Sequence, residues 1–181
     1  MKTNVKVALI FTLLSVAGCG SPVRVDFDTD TDFSSFRTYR WFDGEIHHLD
    51  ALASNPLAKK RVVRAVDIVL QEKGFVVKEG SACDFTVFVH GTVQQRVQIH
   101  DTGGMYGHYG RFGMGVSHID LSTYDEGVLL VDVIDGSTQA LVWRGSLSRK
   151  VTYHKDPNKA EAAIEKTVRK ILEEFPPLLA E

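Results

Sequence analysis

Apolar and polar residues alternate along several stretches of the chain, which is the pattern of β-strands with one buried face. The longest such stretch runs from Phe85 to Ile99. Its apolar side chains fall on one face, which we expect to pack while the other face meets water: Phe85, Val87, Val89, Val93, Val97 and Ile99. Gly91 lies on the packing face, where we expect a bulge or the close approach of another backbone.

Shorter runs of the same kind predict five further strands. Three of them lie at residues 23–28, 38–42 and 75–78. The other two form a hairpin around residues 134–137. In this hairpin one set of apolar residues faces another: Leu129, Val131 and Val133 against Leu141, Trp143 and Leu147.

Two segments carry apolar residues at helical spacing instead. The pair Asn55-Pro56 offers a cap and a first-turn proline to the first helix, and Lys73-Gly74 offers its end. The pair Asp156-Pro157 caps the second helix, which Pro176-Pro177 ends. The predicted order is β-β-α-β-β-β-β-α. This order indicates an α+β fold, with a mainly antiparallel twisted β-sheet and two amphipathic helices packed on one face.

The first 19 residues have the layout of a bacterial export signal. Lys2 and Lys6 precede an apolar run over residues 7–14, and small residues follow directly before Cys19. The sequence Val16-Ala17-Gly18-Cys19 resembles a lipobox, which implies that Cys19 becomes the first mature residue and carries S-diacylglyceryl and N-acyl groups. The alternatives are an ordinary signal peptide or a short membrane anchor. The apolar run is shorter than the roughly 20 residues that a spanning helix needs.

These features predict how the chain is divided and where it resides. Residues 1–18 form the cleaved lipoprotein signal peptide, residues 19–22 the lipidated N-terminus and short tether, and residues 23–177 a single α+β domain. Four extended residues span only about 13 Å, so the domain is expected to lie close to its membrane. Gly20 follows the modified cysteine, and by resemblance to the sorting rule for bacterial lipoproteins this favours the periplasmic face of the outer membrane.

Charge and cysteine content narrow the range of partners. The formal net charge is -2, and cleavage after Gly18 removes two lysines and no acid. A mildly acidic chain does not favour nucleic-acid binding, whereas the Cys19 acyl chains make the lipid bilayer an expected partner. Cys83 has no cysteine left to pair with once Cys19 carries lipid. We interpret Cys83 as a small buried side chain, with a nucleophile as the weaker alternative.

The stretch from His100 to His118 is rich in glycine, aromatic residues and histidine, and it predicts a loop over residues 101–117. One hypothesis is a metal site built from His100, His108 and His118, with Asp101. These histidines are eight and ten residues apart, unlike the short spacings of metal ligands, so we expect no metal. The other hypothesis is contact with a partner, and the candidate contact residues are Tyr106, His108, Tyr109 and Phe112.

Three other patterns in the sequence bear on possible binding or catalytic sites. Acids alternate at Asp26, Asp28, Asp30 and Asp32, but neither calcium-loop register supplies the required glycine and final acid, which favours a strand and its turn. The cations Lys59, Lys60, Arg61 and Arg64 open the first helix, either as a solvated face or as a surface for lipid headgroups or a cell-wall polymer. No serine elbow, zinc-protease motif or phosphate loop is present, so we expect no catalytic residues and no cofactor.

Several segments together resemble the bacterial lipoproteins that bear the domain of unknown function 4136. They cover nearly the whole mature chain: Val25-Asp-Phe-Asp28, Asp32-Phe-Ser-Ser-Phe-Arg-Thr-Tyr-Arg-Trp41, Asn55-Pro-Leu57, Gln71-Glu-Lys-Gly-Phe75, Asp84-Phe-Thr-Val-Phe-Val-His90, Leu141-Val-Trp-Arg-Gly145 and Phe175-Pro-Pro177. The resemblance implies a lipoprotein with a single α+β domain and supplies no activity. The matching Trp41, Trp143 and Gly145 are interpreted as structural.

The leading functional hypothesis is a non-enzymatic periplasmic module that binds or scaffolds an envelope protein or a cell-wall component. It depends on the predicted lipid anchor, the short tether and the aromatic loop. One alternative is a metal-binding protein or hydrolase that uses the His-rich loop. Another is an accessory lipoprotein subunit of a transporter or cell-wall synthase, which would pair through an exposed sheet edge.

Overall fold

The structure is a computed structural model that describes residues 23–44, 50–80, 82–101 and 119–177. Its strands and helices follow the predicted order. They are β1 (Val23–Phe27), β2 (Thr38–Trp41), α1 (Pro56–Glu72), β3 (Val76–Val77), β4 (Phe85–Asp101), β5 (Ile119–Asp135), β6 (Leu141–Lys150) and α2 (Pro157–Ile171). Short 3₁₀ turns lie at Phe33–Ser35 and Leu172–Glu174.

The six strands form one mixed sheet in the order β1-β6-β5-β4-β2-β3. β1, β6, β5 and β4 pair in antiparallel fashion, whereas β2 pairs in parallel with both β4 and β3. The parallel part arises because α1 connects β2 to β3 and returns the chain in the same direction. The predicted α+β class is confirmed. The sheet is mainly antiparallel, as predicted, but it also has a parallel edge formed by β2 and β3.

Both helices begin as the sequence predicts. The Asn55 side chain accepts a hydrogen bond from the Ala58 amide (3.1 Å), and the Asp156 side chain accepts one from the Asn158 amide (2.9 Å). The helices run side by side in the same direction. Arg64 contacts Glu161 at 3.0 Å, and about two turns later Arg169 contacts Glu72 on the neighbouring helix.

The core lies between these helices and one face of the sheet. Trp143 is fully buried, and its ring centroid lies 5.1 Å from that of Phe175. A Cβ atom on Gly145 would overlap the Trp143 indole and lie 2.7 Å from Ile171 Cγ2, so the predicted tight position is confirmed. Trp41 is half-buried and donates its Nε1–H to Asp67 (3.0 Å).

Strand β4 alternates as predicted, but its apolar face is not packed along its whole length. Val93 is 49% exposed and Val97 is 63% exposed. The prediction of a continuous packing face is therefore wrong for this half of the strand. Val93 pairs with Gly127 next to the last residues of β6 and borders an open cavity, whereas Val97 lies beyond the end of β6 at Lys150, which is opposite Glu126 of β5. Beyond that point residues 95–101 and 119–125 continue as a two-stranded ribbon, which we call the arm, and it extends for about 23 Å.

Gly91 lies on β4 shortly before the arm begins, where another segment of the chain packs against the strand. The Ala51 amide donates to the Gly91 carbonyl (2.7 Å), and the Gly91 amide donates to Asp50 Oδ1 (2.9 Å). A Cβ atom here would lie 2.9 Å from Leu52 Cγ. The predicted close approach of another segment is confirmed, and the β4–β5 register passes through Gly91 without a bulge.

Asp84 joins the beginnings of β2 and β4 at the end of the sheet away from the arm. Its Oδ2 accepts hydrogen bonds from Thr38 Oγ1 (2.8 Å), the Thr38 amide (2.8 Å) and the Arg37 amide (3.0 Å). The hydrogen bond from the Thr38 side chain, together with the two amides, lowers the pKa of Asp84. The ionised carboxylate thus contributes to the stability of this end of the fold.

We expect Asp84→Asn to reduce the free energy of unfolding at pH 7 by about 1–2 kcal/mol, because hydrogen bonds to a charged acceptor become bonds to a neutral one. A carboxylate with a lowered pKa stabilises the fold above its unfolded-state pKa. That contribution is lost as the pH falls through the folded-state value. The difference between wild type and variant should therefore shrink at acidic pH, in urea unfolding measured at several pH values.

The exposed Asp30→Asn variant is the matched control and should remain within about 0.5 kcal/mol of wild type. A difference between Asp84→Asn and wild type that stays constant from neutral to acidic pH would contradict the role assigned to the Asp84 charge.

Candidate functional site

A cavity of about 350 Å³ lies between the sheet and the first turns of both helices. Gly91–Val93 of β4, Gly127–Leu129 of β5 and the end of β6 form its floor, and the segments 51–55 and 151–154 close its ends. Most of its wall is apolar: Ala51, Leu52, Ala58, Val62, Val93, Val128, Leu129, Leu147, Val151, Ala160, Ala163 and Ile164.

Small residues at facing positions explain why this space is open. Ala58 and Ala160 occupy the first turns of the two helices, where larger side chains would fill the gap. On the sheet side, Gly91 and Gly127 contribute no side chain, and a Cβ on Gly127 would lie 2.9 Å from Val151 Cγ2. Deeper in the core the same layers are filled by large side chains such as Trp143.

Cationic residues lie at the rim of the cavity. These cations are Arg61 of α1 and Arg149 and Lys150 of β6, and His154 lines the cavity beside them. No Asp or Glu is among the described residues that line it. Arg149 Nη1 donates to Thr167 Oγ1 (2.7 Å) and to the Ala163 carbonyl (3.5 Å), which fixes the guanidinium against α2. An apolar interior with a positive rim favours apolar ligands that carry negative charge.

The basic residues at the start of α1 do not all play the same part. Arg64 is paired with Glu161 across the helices, at 3.0 Å. Arg61 instead lines the cavity, and the structure gives it no ion-pair partner among the residues it describes. On the other side, Arg149, Lys150, Lys166 and Lys170 line an adjoining groove. The mouth of the cavity is thus positive on both sides, and the positive ends of two helix dipoles lie at the same end.

The opposite face of the sheet carries an ionic row. Arg144 binds Asp132 through two hydrogen bonds, Nε to Oδ1 and Nη2 to Oδ2, both 2.7 Å. His90 Nε2 lies 3.4 Å from Asp132 Oδ2. The Asp132 side chain is 5% exposed, and its hydrogen bonds raise the pKa of Arg144. The bond between Arg144 and Asp132 links β6 to β5, and among the described residues no hydroxyl or thiol forms a hydrogen bond with His90.

The residues singled out from the sequence are distributed unevenly. Most of them lie outside the described residues, namely Cys19, Tyr106, His108, Tyr109, Phe112 and His118. The backbone of His100 and Asp101 belongs to β4, and their side chains lie outside the description. Cys83 is half-buried and forms no disulfide with any described residue. Accordingly, the predictions of lipidation at Cys19 and of partner contact by the loop stay predictions.

The alternating acids act within a turn. Asp28 accepts hydrogen bonds from the Asp30 amide and the Thr31 hydroxyl, both at 3.0 Å, and Asp32 accepts one from the Ser34 amide at 3.0 Å. In the part of the chain that the structure describes, no group of three or more His, Cys, Asp or Glu side chains is placed to hold a metal ion. Neither described helix has the length and apolar character needed to cross a membrane.

Sequence reasoning missed the cavity, although two signals pointed to it. Arg149 occupies an inward position in the alternation that includes Trp143, Gly145 and Leu147, where an unpaired charge is unusual. Ala160 and Ala163 place small side chains on the buried stripe of α2. The first signal indicates a positive charge at the edge of the core, and the second indicates unfilled space beside α2. Only the tertiary structure shows that the charge and the space lie at one site.

Residues 23–177 match the model of the family described as Domain of unknown function (DUF4136). The chain belongs to this family. The match begins at the first residue of β1 and ends after the helix α2 and its 3₁₀ turn, so every described element of this DUF4136 chain lies within it. No curated protein matches the chain.

Several solved structures resemble this DUF4136 fold at low sequence identity. A PDZ domain protein from Parabacteroides distasonis has a TM-score of 0.54 at 11% identity, over 87% of this chain and 36% of that protein, so the chain spans about a third of its length. The PelC dodecamer from Paraburkholderia phytofirmans has a TM-score of 0.45 at 12% identity, over 84% and 95% of the two chains. A Helicobacter pylori homolog of neuraminyllactose-binding hemagglutinin has a TM-score of 0.43 at 12% identity, over 79% and 87%. At these identities the likeness concerns the fold alone.

Proposed function

We propose that this DUF4136 protein is a lipid-anchored lipoprotein of the bacterial envelope, held on the periplasmic face of the outer membrane by acyl chains on Cys19. Its single domain is a non-enzymatic module that binds an apolar ligand in the cavity between the sheet and the helix N-termini. The envelope protein or cell-wall partner suggested by the sequence, with contacts at the 101–117 loop, remains a further prediction.

The observation that carries the binding role is the composition of the cavity. Its volume of about 350 Å³ is at the lower end of the roughly 300–1,000 Å³ typical of small-molecule sites. Its wall is apolar, and polar groups are concentrated at the rim. Such a cavity gains free energy by taking up apolar surface and orients its ligand through a few polar contacts.

The geometry of β1 supports a position close to the membrane. Val23, the first residue of β1, pairs with Leu147, and Leu147 lines the cavity. A tether of residues 19–22 would reach about 13 Å from this point. An acylated Cys19 would therefore hold the cavity end of the domain towards the bilayer, and the same end carries the positive rim and the arm.

The chemistry of the described residues supports a non-enzymatic module. The polar side chains at the cavity rim are Arg, Lys, His, Tyr, Asn and Thr, a set suited to holding an anion. A general acid or base needs a reacting partner within hydrogen-bond reach. The acids closest to the cavity in sequence are bound to protein groups: Asp50 Oδ1 accepts hydrogen bonds from the amides of the lining residues Leu52 and Gly91, and Glu161 pairs with Arg64. Asp50 Oδ2 is buried and has no hydrogen-bond partner among the described residues.

The experiment that tests this function fills the cavity. We expect Ala160→Trp to place an indole in the space between α1, α2 and the sheet, and to weaken binding of the neutral apolar dye Nile red at least about tenfold. The measurement is a fluorescence titration of the mature chain, residues 19–181, with Cys19→Ser so that no acyl chain competes. All described elements lie at or after Val23.

Ala162→Trp is the matched control, because Ala162 is exposed on the same helix and does not line the cavity. This variant should bind the dye as wild type does. Equal dye binding by wild type and Ala160→Trp, with both proteins folded by circular dichroism, would show that the cavity is not the site.

A further inference from the structure

We propose that the ligand of this cavity is a single-chain anionic amphiphile, whose alkyl chain fills the apolar interior and whose anionic head binds Arg61 and Arg149 at the rim. The inference rests on the proposed binding function and names the class of ligand. The cationic rim selects the head, and the size and apolar wall of the cavity select the chain.

The charge of the rim favours an anion. Arg61 and Arg149 approach the mouth from different elements, one from α1 and the other from β6, and Lys150 lies beside Arg149. Arg149 uses Nη1 for Thr167 and Ala163, which leaves Nη2 and Nε without a described protein partner. A guanidinium can bind a carboxylate or phosphate through two parallel hydrogen bonds, and a fixed guanidinium loses less freedom when it does so.

The acidic residues close to this mouth do not cancel that charge. Glu126 binds Arg96 (2.9 Å), and Asp125 accepts a hydrogen bond from the Tyr153 hydroxyl (3.1 Å). Glu161 lines a groove together with Arg61, but it pairs with Arg64 at 3.0 Å. None of these three acids is among the described residues that line the cavity. Lys166 and Lys170 extend the positive surface along the adjoining groove. A neutral or cationic amphiphile would leave these cations without a partner, whereas an anionic head would neutralise part of their field.

The apolar surface favours one extended alkyl chain. The cavity opens at Val93, and the same face of the arm continues with Val97 and Leu121, which are each 63% exposed. A flexible chain can follow this track out of the cavity and cover it. A volume of about 350 Å³ suits one chain of medium length better than the paired chains of a phospholipid. The acyl chains on Cys19 would bring no anionic head to the rim.

The test compares ligands that share one alkyl chain and differ in the head. Dodecanoate, dodecanol and dodecyltrimethylammonium compete with Nile red for the mature Cys19→Ser chain, each below its micelle concentration and at low ionic strength. We expect the concentration of dodecanoate that displaces the dye to be at least about tenfold lower than that of dodecanol. One charge-assisted hydrogen bond to the head contributes enough binding free energy for this difference. The cationic amphiphile should be the weakest competitor.

Arg61→Gln should raise the concentration of dodecanoate needed for displacement by about tenfold and leave that of dodecanol unchanged. Unchanged dodecanol binding also shows that the variant is folded. Lys78→Gln removes the same charge beside β3, at the other end of the sheet, and is the matched control that should behave as wild type.

Each other outcome overturns a distinct statement. If dodecanoate and dodecanol compete equally in wild type, the inference of an anionic head is wrong. Nile red binding would still support an apolar site. If no alkyl compound displaces the dye, the occupant is of another kind, such as an apolar peptide segment. If Arg61→Gln and Lys78→Gln weaken dodecanoate binding equally, the net charge of the protein determines the affinity. The proposed contact between the head and Arg61 would then be wrong. If Ala160→Trp binds the dye as tightly as wild type does, the proposed function itself is wrong.

Discussion

Replacing Cys19 with Ser should abolish acylation of the protein completely. In the proposed lipoprotein the Cys19 thiol would accept the diacylglycerol group, and a serine hydroxyl would not replace it. Each buried methylene contributes roughly 0.8 kcal/mol to membrane binding, so the loss of two or three acyl chains removes firm anchorage. The expected product is an unprocessed precursor or a soluble periplasmic form. Metabolic labelling with a fatty acid, followed by cell fractionation, measures both effects.

Cys83→Ser is the matched control, because it removes the other cysteine of the chain. This variant should be labelled and should fractionate with the membrane as wild type does. If Cys19→Ser left labelling, processing and membrane association unchanged, the anchor at Cys19 would be wrong. The proposal that the cavity faces the membrane would then lose its main support.

Replacing Arg144 with Met should reduce the free energy of unfolding by about 2 kcal/mol, since the buried Asp132 loses its ion-pair partner, although Arg144 itself is 45% exposed. The Asp132 side chain is 5% exposed, and its remaining ion-pair partner among the described residues would be His90, whose Nε2 lies 3.4 Å from Asp132 Oδ2. Methionine preserves much of the apolar stem of Arg144, so the missing charge dominates the effect. Urea unfolding at pH 7 measures the midpoint and the slope.

Two comparisons isolate the buried charge. The double variant Arg144→Met with Asp132→Asn should recover more than half of the loss, because no buried charge is left unpaired. Arg96→Met breaks the pair with Glu126, in which Arg96 is 55% exposed, and should cost less than about 1 kcal/mol. A loss below 1 kcal/mol for Arg144→Met as well would contradict the structural role of the ionic row.

Local sequence signals were sufficient for the elements of the fold. Asn55-Pro56 and Asp156-Pro157 mark helix starts because capping depends on residues within one turn. The alternation in β4 likewise predicts a strand and its two faces. The same alternation failed at Val93 and Val97, because the burial of a strand face depends on where β6 and the helices end, and that is a property of the tertiary structure.

The parallel edge and the cavity depend on contacts between distant segments. The residues of β2 and its sequence neighbours carry no signal that this strand pairs in parallel with β4 and β3. The alternation along β6 predicts that Arg149 lies on the inward face of the strand. Its place at the cavity rim becomes evident only from the tertiary structure, in which Thr167 binds it and Arg61 lines the same cavity. Sequence reasoning therefore identified the basic start of α1 without identifying the apolar space beside it.

The most direct test of the central claim is to locate the apolar ligand on the protein. Amide chemical shifts of the mature Cys19→Ser chain, recorded with and without saturating Nile red, report this position residue by residue. The account predicts that the largest changes occur at Leu129, Val151 and Ile164, which line the cavity. Changes confined to Val97 and Leu121 of the arm, with the cavity residues unaffected, would contradict it.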